Sequence, residues 1–139
     1  MKITPADKWF SLCIRERVDW NCEHCGSNYR QRPQGLHCSH LFSRRHYATR
    51  HDPNNAFAHC YGCHQRLGGC PVTFTRWAEQ HLGIGLVELV REKHLDTGLG
   101  KMCKKKQKEI AAHYKSELSR LQKQRAEGIT GRLEVTAWA

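Results

Sequence analysis

Cys22-Glu-His-Cys25 and Cys60-Tyr-Gly-Cys63-His64 enclose a segment that carries Gly35-Leu-His-Cys-Ser-His40 and Asn54-Asn55. Each Cys-x-x-Cys pair can place two thiolates on one metal from a tight knuckle. Together Cys22, Cys25, Cys60 and Cys63 have the spacing of one tetrahedral, structural zinc site. In small modules that are unfolded without metal, such a site supplies folding free energy on the order of 10 kcal/mol. A redox pair would need only one Cys-x-x-Cys. Cys38, Cys70 and Cys103 lack partners at ligand spacing and read as free thiols.

The surrounding composition agrees with a metal-stabilised module. The chain has 139 residues, a hydrophobic fraction of 39% and eight cysteines. That is too little apolar material for a large core, and small domains of this kind lean on metals or disulfides. Lys2, Asp7 and Lys8 interrupt the opening residues, so no apolar signal segment is expected there. No run approaches the roughly 18 apolar residues of a membrane span. These features predict an intracellular, cytoplasmic setting, where paired Cys-x-x-Cys motifs mean metal more often than disulfide. Lys and Arg number 23 against 13 acidic residues, a formal net charge of +10. That excess favours polyanions, nucleic acid above all, through phosphate contacts and counterion release.

The pattern outside the knuckles predicts an α+β fold. Thr4-Pro5-Ala6-Asp7 is a helix start, with Thr4 as cap and Pro5 at the first helical position. The helix should run over about 5–18, with Cys13 buried on its apolar stripe. Residues 36–42 read as a short strand, 43–54 as a polar, basic loop, and 56–60 as the returning strand. A helix should begin near Cys63 and end at Gly68-Gly69. Helices over 71–82 and 86–94, broken by Gly83 and Gly85, would bury Phe74, Trp77, Leu86, Leu89 and Val90. From Lys101 to Arg125 one amphipathic helix is expected, with a stripe of Ile110, Tyr114, Leu118 and Leu121 and a basic face. Residues 131–138 alternate weakly, as a strand or a disordered tail would.

Hydrolysis of a phosphodiester needs a base for water, a Lewis acid for the leaving oxygen and cations for the phosphate charge. His40 ends the first strand, where an imidazole can take a proton from water. Asn55 stands on the returning side of the loop and can hold it through its amide. His64 follows Cys63 directly, so the knuckle would fix it as a ligand for a second, catalytic divalent ion. Arg44, Arg45 and Arg50 crowd the loop and are candidate phosphate clamps. Tyr47 or His46 could stack on an unpaired base. Lys104, Lys105, Lys106 and Lys108 are candidate DNA contacts on the basic helix.

Over about residues 20–70 the ordered set Cys-x-x-Cys, His, Asn, Cys-x-x-Cys-His resembles the HNH (ββα-metal) nuclease superfamily. The resemblance implies a small zinc-stabilised ββα-metal core with flanking helices. It also implies His40 as general base, Asn55 as its orienting partner, and His64 as ligand to catalytic magnesium or manganese. The residue before the base is commonly an acidic metal ligand, and here it is Ser39. His37 is a substitute ligand, though strand alternation points it away from His40 unless a bulge intervenes.

A closer resemblance covers most of the chain. Ile14-Arg-Glu-Arg17 before Cys22, Ser39-His40, Thr49-Arg50 with Asn55, and the second Cys-x-x-Cys are similar to the Rap (NinG) family of bacteriophage recombination endonucleases. The downstream helices, with Tyr114, Leu118 and Leu121, are similar too. The long basic amino-terminal extension of the family's best-known form is not expected here. An amide side chain can stand at the His64 position in that family. Members cut branched recombination intermediates such as D-loops and Holliday junctions. The resemblance therefore implies branched DNA as partner, 5′-phosphate and 3′-hydroxyl ends, a phage-encoded protein working with recombination proteins, and a homodimer for paired incisions. The organisation expected is a nuclease domain over 1–100, a basic helical arm over 101–127 and a tail over 128–139. A zinc-stabilised DNA-binding module without catalysis, and a site-specific HNH nuclease of the restriction or homing type, are the alternatives.

Overall fold

The computed structural model describes residues 1–138 and is α+β. Helix α1 spans Pro5–Arg17 and begins as the sequence predicts. Thr4 caps it, and Asp7 returns the bond in a capping box. Asp19 and Trp20 then take positive φ, which turns the chain sharply toward Cys22. Arg30 braces this turn by bonding both Glu16 and Asp19. Such a conformation costs non-glycine residues roughly 1 kcal/mol or more each, so the brace has a local purpose.

Strands β1 (Leu36–His40) and β2 (Ala56–Cys60) pair antiparallel, with His37 opposite His59, Ser39 opposite Phe57 and His40 opposite Ala56. The register is regular, with no bulge. β1 is shorter than predicted, stopping at His40 where the chain turns into the loop. That loop is not wholly irregular: it contains α2, Tyr47–Arg50, and a 3-10 turn over Pro53–Asn55. Neither was legible in a polar, basic stretch without apolar periodicity.

Helix α3 (Tyr61–Gly68) follows β2 directly. α4 (Pro71–Leu82) and α5 (Ile84–His94) meet at Gly83, which has φ +96°. Gly85 lies inside α5 and breaks nothing. Phe74 and Val90 are buried and Trp77 is half-buried, but Leu86 and Leu89 are exposed. α5 turns Val87 inward with Val90 instead, a register one residue from the expected one. The predicted continuous basic helix is two helices, α6 (Thr97–Lys105) and α7 (Gln107–Ala126). They part at Lys106 because α6 packs on α2 while α7 packs on α1.

The two faces of the sheet are buried against different layers, as strand alternation requires. Leu36, Ala56, Ala58 and Cys60 join the main core with Ala6, Phe10 and Ile14 of α1 and Ile110, Tyr114 and Leu121 of α7. Phe57 joins Leu67, Phe74, Ala78 and Val87 on the other side. α7 is therefore a core helix whose apolar stripe is spent on α1, not a projecting arm. Cys13 lies at this seam, its thiol donating to the Tyr114 carbonyl at 3.2 Å. The tail makes no strand, although Leu133 is buried and its N–H donates to the Arg17 carbonyl. Only the last position of the predicted 128–139 tail lies outside the described residues. Among the described residues, no helix is long and apolar enough to cross a membrane.

Candidate active site and metal centre

Cys22 and Cys25 come from the knuckle after α1, Cys60 ends β2, and Cys63 lies in the first turn of α3. Their four Sγ atoms all lie within 4.8 Å of one another. A tetrahedron of sulfurs about 2.3 Å from zinc has edges of about 3.8 Å, and Cys25 Sγ stands 3.8 Å from Cys60 Sγ. The Cys25 and Cys60 amides point at Cys22 Sγ, and Arg66 donates to Cys63 Sγ at 3.4 Å. These donors oppose the excess negative charge of four thiolates on a divalent ion. The four cysteines can therefore hold a structural metal such as zinc. Among the described residues they are the one group of three or more metal-ligating side chains that converges.

Of the predicted catalytic residues, His40 and His64 share one cavity, which Asn55 does not line. His37, His40 and His64 line a cavity of about 420 Å³, together with Arg44, Arg15, Asp7 and Cys38. His37, Cys38 and His40 come from both faces of β1, as expected where a strand presents its unpaired edge.

The His40 ring packs 6.1 Å from Phe10 on the α1 side, and its Nε2 lies 2.9 Å from the Arg50 carbonyl oxygen. A carbonyl only accepts, so Nε2 carries the proton and Nδ1 keeps its lone pair. Burial pushes the imidazole down to about 4. The ring is therefore neutral near pH 7, with one basic nitrogen.

Asn55 is fully buried. Its Oδ1 accepts from the Phe42 amide at 2.8 Å, and its Nδ2 donates to the Phe42 and Thr49 carbonyls at 3.0 Å each. It holds both ends of the loop that supplies the Arg50 carbonyl. Any effect of Asn55 on the His40 ring therefore runs through backbone.

His64 lies on α3, with Nδ1 buried and without a hydrogen-bond partner among the described residues. Burial lowers its pKa, and His37 adds to that. The two rings sit 5.3 Å apart, edge to face. His37 reaches His64 without any bulge. Alternation does turn it from His40, but toward α3, where His64 is. Ser39, at the position of the expected acid, is buried with its Oγ unpartnered. Among the described residues the one acid lining the cavity is Asp7, which is already bonded to Arg50 and His51.

The arginines separate. Arg44 is half-buried on the cavity wall, and Arg45 is exposed outside it. Arg50 is 1% exposed and ion-paired with Asp7 at 2.6 Å, so it cannot clamp a phosphate. Its partner is not an acid of the same loop but Asp7, which α1 brings in from 43 residues away. Lys104, Lys105, Lys106 and Lys108 are exposed. Comparison with protein-family models, curated proteins and solved structures returns no match for this chain.

Proposed function

We propose that this protein is a metal-dependent endonuclease of the HNH (ββα-metal) type that cuts branched DNA. The observation that carries this reading is the bond from His40 to the Arg50 carbonyl. It leaves Nδ1 as a fixed lone pair in a cavity shared with His64 and Arg44. His40 is thereby held in one tautomer at the wall of a cavity that His64 also lines. The order strand, strand, helix across the four cysteines is also the order that the HNH resemblance implies.

In this reading His40 Nδ1 takes the proton of the attacking water. Asn55 keeps the loop, and hence the ring, in register. Arg44 meets the non-bridging phosphate oxygens. His64, with His37 beside it, would hold the catalytic divalent ion. Two imidazoles with no carboxylate are a poor donor set for magnesium or manganese and suit a borderline ion such as zinc or iron(II) better, so water and phosphate oxygens would have to complete the shell of magnesium or manganese. The ion, when bound, supplies positive charge for the leaving 3′-oxygen. Arg45 and the lysines at the junction of α6 and α7 would grip backbone by shape rather than read bases. The choice of branched DNA, recombination proteins as partners and a phage source rest on the likeness to the Rap (NinG) family.

Labelled Holliday junction, D-loop and matched linear duplex, incubated with magnesium or manganese, test the proposal. Branch-selective nicking by the wild type and none by zinc-loaded His40→Ala supports it. A second reading, a zinc-stabilised DNA-binding module without catalysis, draws on the cavity's one carboxylate, Asp7, being engaged by Arg50 and His51. Tight junction binding with no cleavage in either metal favours that module. Cutting of linear duplex at one sequence favours a restriction or homing type.

A further inference from the structure

The bond that orients His40 ends on a peptide unit that is itself held from several sides. Arg50 ends the short helix α2 and His51 caps it, in a loop setting that alone leaves backbone free to move. Here both side chains reach the same carboxylate. Asp7 Oδ1 accepts from Arg50 Nε and from His51 Nε2, each at 2.9 Å, and Oδ2 accepts from Arg50 Nη2 at 2.6 Å. Asp7 in turn is fixed by its capping box with Thr4. From the other side the Tyr114 hydroxyl, on α7, donates to the His51 carbonyl at 2.6 Å. The remaining guanidinium nitrogen, Nη1, donates to the Arg44 carbonyl at 3.3 Å. Arg50 thereby anchors two groups of the cavity: the His40 ring through its own carbonyl, and Arg44 through its side chain.

We propose that Asp7 is a positioning residue for His40, clamping Arg50 and His51 so that the Arg50 carbonyl holds the imidazole in its Nε2–H form. The inference rests on His40 being the base. It gives the amino-terminal helix a part in the reaction that its distance in sequence from the knuckles conceals. This carboxylate bonds both residues of a single dipeptide, the pair whose first carbonyl meets His40.

The test is Asp7→Asn, which keeps shape and removes charge. The ring Nε2–H of His40, buried against a carbonyl, should give a proton resonance protected from water exchange in the zinc-loaded wild type. The variant is expected to retain zinc and cooperative unfolding, to lose that resonance, and to lose about tenfold or more in kcat with KM within about twofold, a fraction of a base's usual contribution. Retention of both the resonance and kcat overturns the proposal. If Asp7→Asn does not fold, His51→Leu carries the test, since it removes one of the bonds by which Asp7 holds the dipeptide and leaves the Arg50 carbonyl in place. It should weaken the resonance and kcat in the same sense, and unchanged values overturn the clamp. If the wild type cleaves nothing, the nuclease reading fails. The resonance still decides whether Asp7 holds the ring.

Discussion

Asn55 and His40 are linked through one stretch of backbone: Asn55 fixes Phe42 and Thr49, and the next carbonyl, that of Arg50, takes the His40 Nε2 proton at 2.9 Å. The amide side chain satisfies three backbone groups, the Thr49 carbonyl buried and the two of Phe42 partly so. Asn55→Ala leaves them unpaired, at roughly 1–3 kcal/mol each. A lower unfolding midpoint together with a loss of cleavage is the expected result. Full activity in a folded Asn55→Ala protein would remove the residue from the site.

Cleavage should tolerate acid better than an ordinary histidine base allows. His40 is pushed down to about 4 by burial, with Arg44 and His51 acting in the same sense. The base is competent while neutral, so kcat is expected to hold as pH falls through 6.5 and to drop only near 4. A kcat profile whose acid limb lies near 6.5 would show that the base is another group.

Arg44 and Arg50 should fail in different ways. Arg44→Ala is expected to weaken DNA binding and flatten its salt dependence while leaving the unfolding midpoint nearly unchanged. Arg50→Ala strands the buried Asp7 carboxylate and should cost about 3–5 kcal/mol of stability. Denaturant melts alongside binding isotherms at two salt concentrations separate them.

Asp7 also sets an acid limit on the fold. Burial opposes its ionisation, but hydrogen bonds from Arg50 and His51 outweigh it and hold the carboxyl well below the usual range. Its folded pKa is below its unfolded value of about 3.9. The stabilisation is therefore complete above that value and is lost as pH falls below it. Melting midpoints below pH 4 should fall more steeply in the wild type than in Asp7→Asn. Parallel curves would show that the pair contributes nothing.

Removing the knuckle metal with a chelator should unfold the β1–β2 and α3 region and abolish cleavage. Cobalt should restore folding, with the absorption of a tetrahedral thiolate site. Cys63→Ser should lose that spectrum. Cys70→Ser, at an exposed cysteine outside the cluster, should keep it. A Cys63→Ser protein that stays folded and metal-loaded would contradict the four-cysteine centre.

The local features were legible where chemistry repeats at fixed spacing. The cap at Thr4, the four cysteines and the strands at 36–40 and 56–60 are short-range patterns. The loop was not. α2 has no apolar period of its own and is ordered by Asn55 and α6. Arg50 looked like a clamp because its partner, Asp7, belongs to another helix. Leu86 and Leu89 face solvent although the pattern points them inward, because a helical stripe fixes spacing but not which of two adjacent registers a neighbour accepts. The break at Lys106 has the same origin: both halves are helical, and only their separate partners, α2 and α1, turn the chain between them.

The seam between α1 and α7 has a further consequence for how the protein comes into being. Phe10, Cys13 and Ile14 meet residues about a hundred positions later, and the dipeptide beside His40 is closed by Tyr114. On the ribosome, α1 waits for α7. Non-local contacts of this kind slow folding, and they also postpone the finished cavity until Tyr114 has emerged. In the nuclease reading, a half-made copy still threaded on its message carries the motif but is not yet able to cut.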